Sequence, residues 1–320
     1  MSFFNECVEF MRDNGVGVSN VNKIKMTGEI ERYQVEGDKK GTLNGWMIWR
    51  DGLKPSCTFG SWKEGAHYTW FAQDQSELSK SERDRVRREI AKARIEAAKA
   101  HKEKDFFNKK NAAIGAGKVW DNALSHHANS YNHDYVQRKQ ITAYGSRVER
   151  ETNALIIPVV NHNNIIQSIQ RIFPNGKKMF QKGGAISGGF FIVSDGVKIK
   201  NRILITEGYA TACSLHSMTG DPVVMCFNAG NIKHVTAIFK SQYPHCEIII
   251  CADNDHKLSD NVGRLKAREA ASKCGVKVID LLWDGGSDWN DAVCQLGFDE
   301  SCSMFSVECD KLRIGEPKQC

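Results

Sequence analysis

Beyond Arg202 the apolar positions fall into short runs that alternate with longer, helically spaced stretches. "RILITEG" reads as a buried strand ending at Glu207, and "YATACSLHSMTG" as a helix closed by Gly220. "PVVMCFNAGN" is a strand and loop, and "IKHVTAIFKSQY" a helix stopped by Pro244. "EIIICADND" is again a strand, with four consecutive apolar residues from Ile248 to Cys251. "GRLKAREAASKCG" is a helix with Gly275 past its end, "VKVIDLLW" a strand, and "GGSDWNDAVCQLG" a loop leading into a helix. This alternation predicts an α/β fold whose strands run parallel in one open sheet.

The segments upstream have other textures. In residues 1–75, "YQVEGDKKGTLNGWMIW" and "PSCTFGSWKEGAHYTWF" both read as strand, turn, strand, and four of the seven tryptophans (Trp46, Trp49, Trp62, Trp70) lie there. A small β-rich module is expected, its aromatics forming a core or, for one or two of them, stacking on unpaired bases. Residues 76–118 read as a charged helix or linker, free of Gly and Pro as far as Lys110. Residues 111–150 look like short helices and a loop. Residues 119–200 form a basic subdomain: "NALIIPVV" opens a strand at Asn153, and in "IIQSIQRIFPNGKKMFQKGG" a turn joins two strands punctuated by Arg171, Lys177, Lys178 and Lys182. Residues 201–297 hold the alternating pattern, and the tail 298–320 gives no clear signal.

The 320 residues are 41% hydrophobic and 26% charged, which places the chain among globular proteins. No apolar run has membrane-spanning length, and the first residues, "MSFFNECVEFMRDNG", are too acidic and mixed for a secretory signal. A cytoplasmic location is expected. A net charge of +6 permits a polyanionic partner without demanding one. The eleven cysteines include no CxxC pair, so reduced, buried thiols are expected, with Cys213, Cys226, Cys246, Cys251 and Cys274 in apolar or helical patterns. No zinc site is expected. His126, His127 and His133 in "HHANSYNH" read as part of a solvated loop.

Carboxylates change this picture most. In an open α/β sheet, sites form beyond the carboxyl ends of the strands. Glu207 ends one predicted strand, Asp253 and Asp255 end another, and Asp288 and Asp291 follow a third. The loop Asn228–Asn231, containing Gly230, ends the remaining strand on the same side. Two unit charges about 4 Å apart interact by roughly 4 kcal/mol at an effective dielectric near 20, so such a cluster calls for protonation, solvation or a cation. Oxygen ligands select a hard ion, and Mg²⁺ or Mn²⁺ is the natural partner.

The order "ILITEGYATA … IIICADND … GGSDWND" resembles the Toprim domain shared by bacterial primases, topoisomerases and some nucleases. "NGWMIWRDGLKPSCTFGSWKEGAHYTW", the charged helix and "IIQSIQRIFPNGKKMFQKGG" extend the resemblance to the primase regions of conjugative-plasmid and phage replication proteins, over about residues 30–297. It implies a Toprim-like open parallel sheet preceded by a basic α+β subdomain, a long charged helix and a small β-rich N-terminal module. It also implies synthesis of short RNA primers on single-stranded DNA from ribonucleoside triphosphates, with two Mg²⁺ or Mn²⁺ ions. Glu207, Asp253 and Asp255 would carry the chemistry and bind metal, with Asp288 and Asp291 as further ligands; Glu207 could be a ligand or handle a proton. Arg171, Lys178 and Lys182, with Asn228, Gly230 and Asn231, would contact nucleotide or template. Neither "GAGK" (Gly115–Lys118) nor "GGAISGG" (Gly183–Gly189) is a Walker A loop, so a separate replicative helicase is the expected partner, in a bacterial cell or phage-infected host. The competing readings are a Toprim nuclease and a non-catalytic single-stranded-DNA-binding replication factor.

Overall fold

The computed structural model describes residues 3–52, 55–63, 65, 67–72, 80–125, 133–254, 261–281 and 283–314. Asp255, His126 and His127 lie outside the described residues. The chain divides into two compact units, Met1–Lys99 and Ala100–Cys320.

The first unit opens with α1 (Phe3–Asp13), followed by β1 (Glu31–Tyr33), β2 (Gly45–Arg50), β3 (Ser56–Ser61) and β4 (His67–Phe71). The strands pair antiparallel in the order β1-β2-β3-β4. Alternate residues point to opposite faces, and one face carries Tyr33, Met47, Trp49, Cys57, Phe59 and Trp70, which pack with Cys7 and Met11 of α1 into one core. Phe4 meets Trp49 and Phe10 meets Phe59 edge-on, so α1 covers that face.

The boundary between the units falls inside one helix, α2 (Lys80–Asn122). The short helices expected after residue 110 are therefore its continuation as far as Asn122. Gly115 and Gly117 weaken the helical signal there, but tertiary packing overrides it: Ala116 is fully buried in a cluster with Ile156 and Ile169.

In the second unit, α2 is followed by β5 (Leu124–Ser125), α3 (Asp134–Lys139), β6 (Arg147–Val148), β7 (Leu155–Val160), β8 (Ile166–Ile172) and β9 (Lys178–Phe180). These five strands form an antiparallel sheet in chain order. Its centre, "LIIPVV", is buried at every position because the strand is covered on both sides. His133, placed in a solvated loop by the sequence, is 1% exposed; it caps α3 by accepting the Tyr135 N–H, while its Nε2 lies 2.8 Å from the Asn153 carbonyl. Burial lowers its pKa.

The remaining elements are β10 (Phe191–Val193), β11 (Arg202–Thr206), α4 (Tyr209–Thr219), β12 (Val223–Met225), α5 (Ala229–Gln242), β13 (Glu247–Ala252), α6 (Val262–Cys274), β14 (Lys277–Asp280), α7 (Trp289–Leu296) and α8 (Phe298–Ile314). The second sheet runs β10-β12-β11-β13-β14, parallel except for β10. Apolar clusters lie on its two faces. One joins Leu204, Met225 and Ile249 to α4, Trp289 and Phe305; the other joins Ile203, Val224 and Ile250 to α5 and α6. The tail that carries no clear pattern is thus largely α8, held by Phe305 edge-on against Trp289. Cys213, Cys226, Cys246 and Cys251 are buried free thiols, and Cys274 is half-buried.

Candidate active site

Four parallel strands end on one edge of the second sheet, and after three of them the next helix starts there. Gly208, Asn228 and Asp288 are the N-caps of α4, α5 and α7. The positive ends of three helix dipoles therefore face the edge where the acidic residues collect. Glu207 directly follows β11 and Asp253 directly follows β13.

Glu207, Asp253 and Asp288 line one cavity of about 110 Å³, together with Tyr135, Lys139, Gln170, Lys178, Gly208, Ala210, Thr211, Met225 and Phe227. Of the acids expected to converge from three strand ends, the cavity brings together Glu207, Asp253 and Asp288; Asp291 does not line it, and Asp255 is not described. Burial raises the pKa of the Asp288 carboxyl, and the nearby Asp291 adds to the effect. Its side chain also accepts the Asp291 N–H at 2.9 Å, so one residue caps a helix and faces the cavity. Asp291 is differently placed. Burial pushes its carboxyl up, but the Ser287 N–H and Lys139 outweigh that and hold it below the usual carboxylate range. Its two oxygens are engaged by Lys139 Nζ and Ser287 N, both at 3.0 Å.

The basic strands sort by register. Ile172 pairs with Lys178, Arg171 with Met179 and Gln170 with Phe180. Lys178 and Gln170 line the cavity; Arg171, one residue from Gln170, must face the other side of the sheet. There its guanidinium is held by Glu149 at 2.8, 3.0 and 3.1 Å and by Gln181 Oε1 at 3.1 Å. Arg171 is thus not brought to the acids, and Lys178 is. Lys182 sits exposed in the turn after β9.

Of the Asn228–Asn231 loop, Asn228 caps α5 by accepting the Asn231 N–H at 3.1 Å, and Gly230 is exposed in the first turn. The Asn231 side chain is spent inside the protein. Its Nδ2 donates to the carbonyls of Gly189 (2.7 Å), Cys226 (2.9 Å) and Ile186 (3.2 Å), and its Oδ1 accepts the Gly188 N–H at 2.8 Å. Phe227, just before the loop, has φ +70°. That left-handed conformation is rare outside glycine and persists only where neighbours impose it. Here the Phe227 N–H donates to the Glu207 carbonyl at 2.9 Å and its ring meets Phe180 edge-on.

Sequence reasoning passed over Tyr135, Lys139, Gln170 and Phe227. Tyr135 and Lys139 come from a short helix far upstream with no local signal. Gln170 could have been found by parity with Lys178. Its Oε1 is buried and has no hydrogen-bond partner, in a residue 2% exposed that lines the cavity. Three carboxylates lining one cavity suit a hydrated divalent cation. Among the described residues no group of three His, Cys, Asp or Glu is close enough to form a metal cluster by itself.

The parallel sheet with this acidic edge coincides with a family match: residues 202–299 match the family model of the Toprim domain. Over a longer stretch the chain is similar to a DNA primase TraC of Escherichia coli, 29% identical over 261 residues, covering 79% of this chain and 18% of the relative. A second DNA primase TraC of that organism is 26% identical over 270 residues, covering 82% of this chain and 25% of the relative. The chain thus spans a quarter or less of the length of these relatives. The primase fragment of the bacteriophage T7 primase-helicase is a distant structural neighbour, 18% identical with a TM-score of 0.39 over 54% of this chain and 69% of that one, too remote to bear on function. No described helix is long and apolar enough to cross a membrane.

Proposed function

We propose that the chain synthesises short RNA primers on a single-stranded DNA template, by metal-dependent nucleotidyl transfer at the acidic edge of the Toprim sheet. The observation that carries this reading is the meeting of Glu207, Asp253 and Asp288 with Lys178 in one cavity, in a chain similar to DNA primases over most of its length.

Glu207 and Asp253, with Asp255, would hold Mg²⁺ or Mn²⁺, and Asp288 would support a second ion. Metal held by these residues would supply the charge that lowers the pKa of a 3′-hydroxyl and offsets that of a triphosphate and pyrophosphate. Lys178 supplies a mobile positive charge for phosphate at the cavity wall, and Lys182 one for the template backbone. Lys139 orients Asp291 through their ion pair, which makes Asp291 a support of the site rather than a free ligand. Asn228 and Gly230 present the first turn of α5 to phosphate; Asn231 serves the fold. A separate replicative helicase, in the cytoplasm of a bacterial or phage-infected cell, belongs to the same proposal.

Incorporation of labelled ribonucleotides on single-stranded DNA with Mg²⁺ or Mn²⁺ tests it. Wild type should make product and Asp253→Ala none. Equal product from both removes the site. Nicked or degraded DNA without incorporation turns the assignment to a nuclease, and DNA binding without either reaction turns it to a non-catalytic replication factor.

A further inference from the structure

The four strands of the first unit pair without a register shift, so each outward position is known. One row across the sheet is Arg32, Trp46, Gly60, His67; the next is Ile48, Thr58, Thr69; the third is Arg50, Ser56, Phe71. None of these side chains belongs to the core that α1 covers. Arg32, His67 and Thr69 are exposed, and Trp46, Ile48, Arg50 and Phe71 half-buried. Trp62, from the turn after β3, is 60% exposed. It lies 5.8 Å from the Trp46 ring, with the Arg32 guanidinium 6.0 Å from its own ring centre.

Two features set this face apart from ordinary surface. First, its charges have one sign: the outward strand positions hold two arginines and a histidine and, among the described residues, no carboxylate. Three acids that neighbour these strands are turned to other partners. Glu31 accepts the Lys25 and Thr27 N–H groups, Asp51 accepts the Trp49 indole N–H, and Asp38 is bound by Asn44 and Lys63. Second, large flat side chains lie among those charges, with the Trp46 indole and the His67 imidazole in one row. An isolated exposed tryptophan needs no explanation. An indole pair flanked by guanidinium on a face of one charge sign combines what unpaired nucleotides require: π-surfaces for bases and cations for phosphates. Double-stranded nucleic acid has its bases stacked away and offers the indoles nothing.

We propose that this outer face is a binding surface for single-stranded DNA, separate from the acidic cavity, with Trp62 and Trp46 stacking bases and Arg32 holding phosphate. Four strands at a spacing of about 4.8 Å make a platform about 14 Å wide, so the strand crosses it with more than one base in contact. The choice of DNA over RNA rests on the template-copying reading above; the stacking surface itself does not.

The test is fluorescence anisotropy of labelled oligothymidylate with the full chain in EDTA, so that metal-dependent chemistry plays no part. Trp62→Ala should weaken binding about tenfold, since one base–aromatic stack is worth about 1–3 kcal/mol. Trp62→Phe should retain most of the affinity. Arg32→Ala should weaken binding and reduce the slope of log affinity against log salt by about one. Melting temperatures of all three should match wild type, because both side chains are exposed. Unchanged affinity in both Trp62→Ala and Arg32→Ala overturns the proposal. So does a duplex that binds as tightly as the single strand, or an oligouridylate that binds where the DNA does not. A chain that binds in this way but incorporates no nucleotide keeps this surface and loses the primer-synthesis reading. A chain that incorporates but is indifferent to both substitutions does the reverse.

Discussion

Asn231 offers a sharp test of whether a polar residue in the loop at the sheet edge serves ligand or fold. It is 3% exposed. Its two amide protons are shared among three carbonyls, two of them in the 186–189 turn and one on Cys226, while its oxygen accepts the Gly188 N–H. The side chain therefore ties the turn before β10 to the start of α5, beside the cavity. Replacing it with Ala leaves a buried N–H and buried carbonyls without partners. Each intramolecular hydrogen bond contributes about 0.5–1.5 kcal/mol net, and an orphaned buried group costs about 1–3 kcal/mol, so Asn231→Ala should destabilise the second unit by about 3 kcal/mol. Asn231→Asp is the more telling change. It is nearly isosteric and keeps the acceptor for Gly188, but it points an anionic oxygen at three carbonyl oxygens. It should be less stable than Ala at neutral pH, and its deficit should shrink on acidification as the unfavourable charge is removed. Urea unfolding followed by far-UV circular dichroism gives the midpoints, and nucleotide affinity is measured separately on the folded variants. An unmoved midpoint in Asn231→Ala with weakened nucleotide binding would refute the argument, as would Asp proving more stable than Ala.

Other outcomes follow from the same geometry. Asp288→Ser keeps an N-cap for α7 and should hold its stability while losing incorporation, whereas Asp288→Ala should lose incorporation and also about 1 kcal/mol in a denaturation curve. Lys178→Ala, at an exposed position, should raise the KM for nucleotide with the melting temperature unchanged; Arg171→Ala should do the opposite. The Arg171 guanidinium holds the Glu149 carboxyl below its usual range, so the pair's contribution, about 1–2 kcal/mol, is complete above the unfolded value of about 4.3. It is lost as pH falls through the lower folded value. Glu149→Gln should therefore flatten the acid limb of the stability–pH profile, read from urea midpoints at a series of pH values.

The contrast between Arg171 and Lys178 shows what was legible in the chain and what was not. The four parallel strands of the second sheet could be read because each carries a short apolar run bounded by a glycine, a proline or an acid; the antiparallel edge strand β10 was not read. In a parallel sheet the acids after those runs must share an edge whatever the register, so Glu207, Asp253 and Asp288 could be brought together by topology alone. Antiparallel strands give no such guarantee. Whether a basic residue on β8 or β9 faces the cavity depends on the parity of a pairing that "IQSIQRIFPNGKKMF" does not settle, because a one-residue shift exchanges every side chain between faces. Once Lys178 opposes Ile172, Gln170 must join it and Arg171 must turn away to Glu149. The lining from α3 was out of reach for a related reason. Tyr135 and Lys139 have no periodic signature, and they reach the site only because Lys139 meets Asp291, 152 positions along the chain. The first unit reverses the situation: its register is regular enough that every outward side chain can be named, so its tryptophans divide between a core (Trp49 and Trp70) and a solvent face (Trp46 and Trp62). That division is the reason a nucleic-acid surface can be argued from the second pair and not from the first.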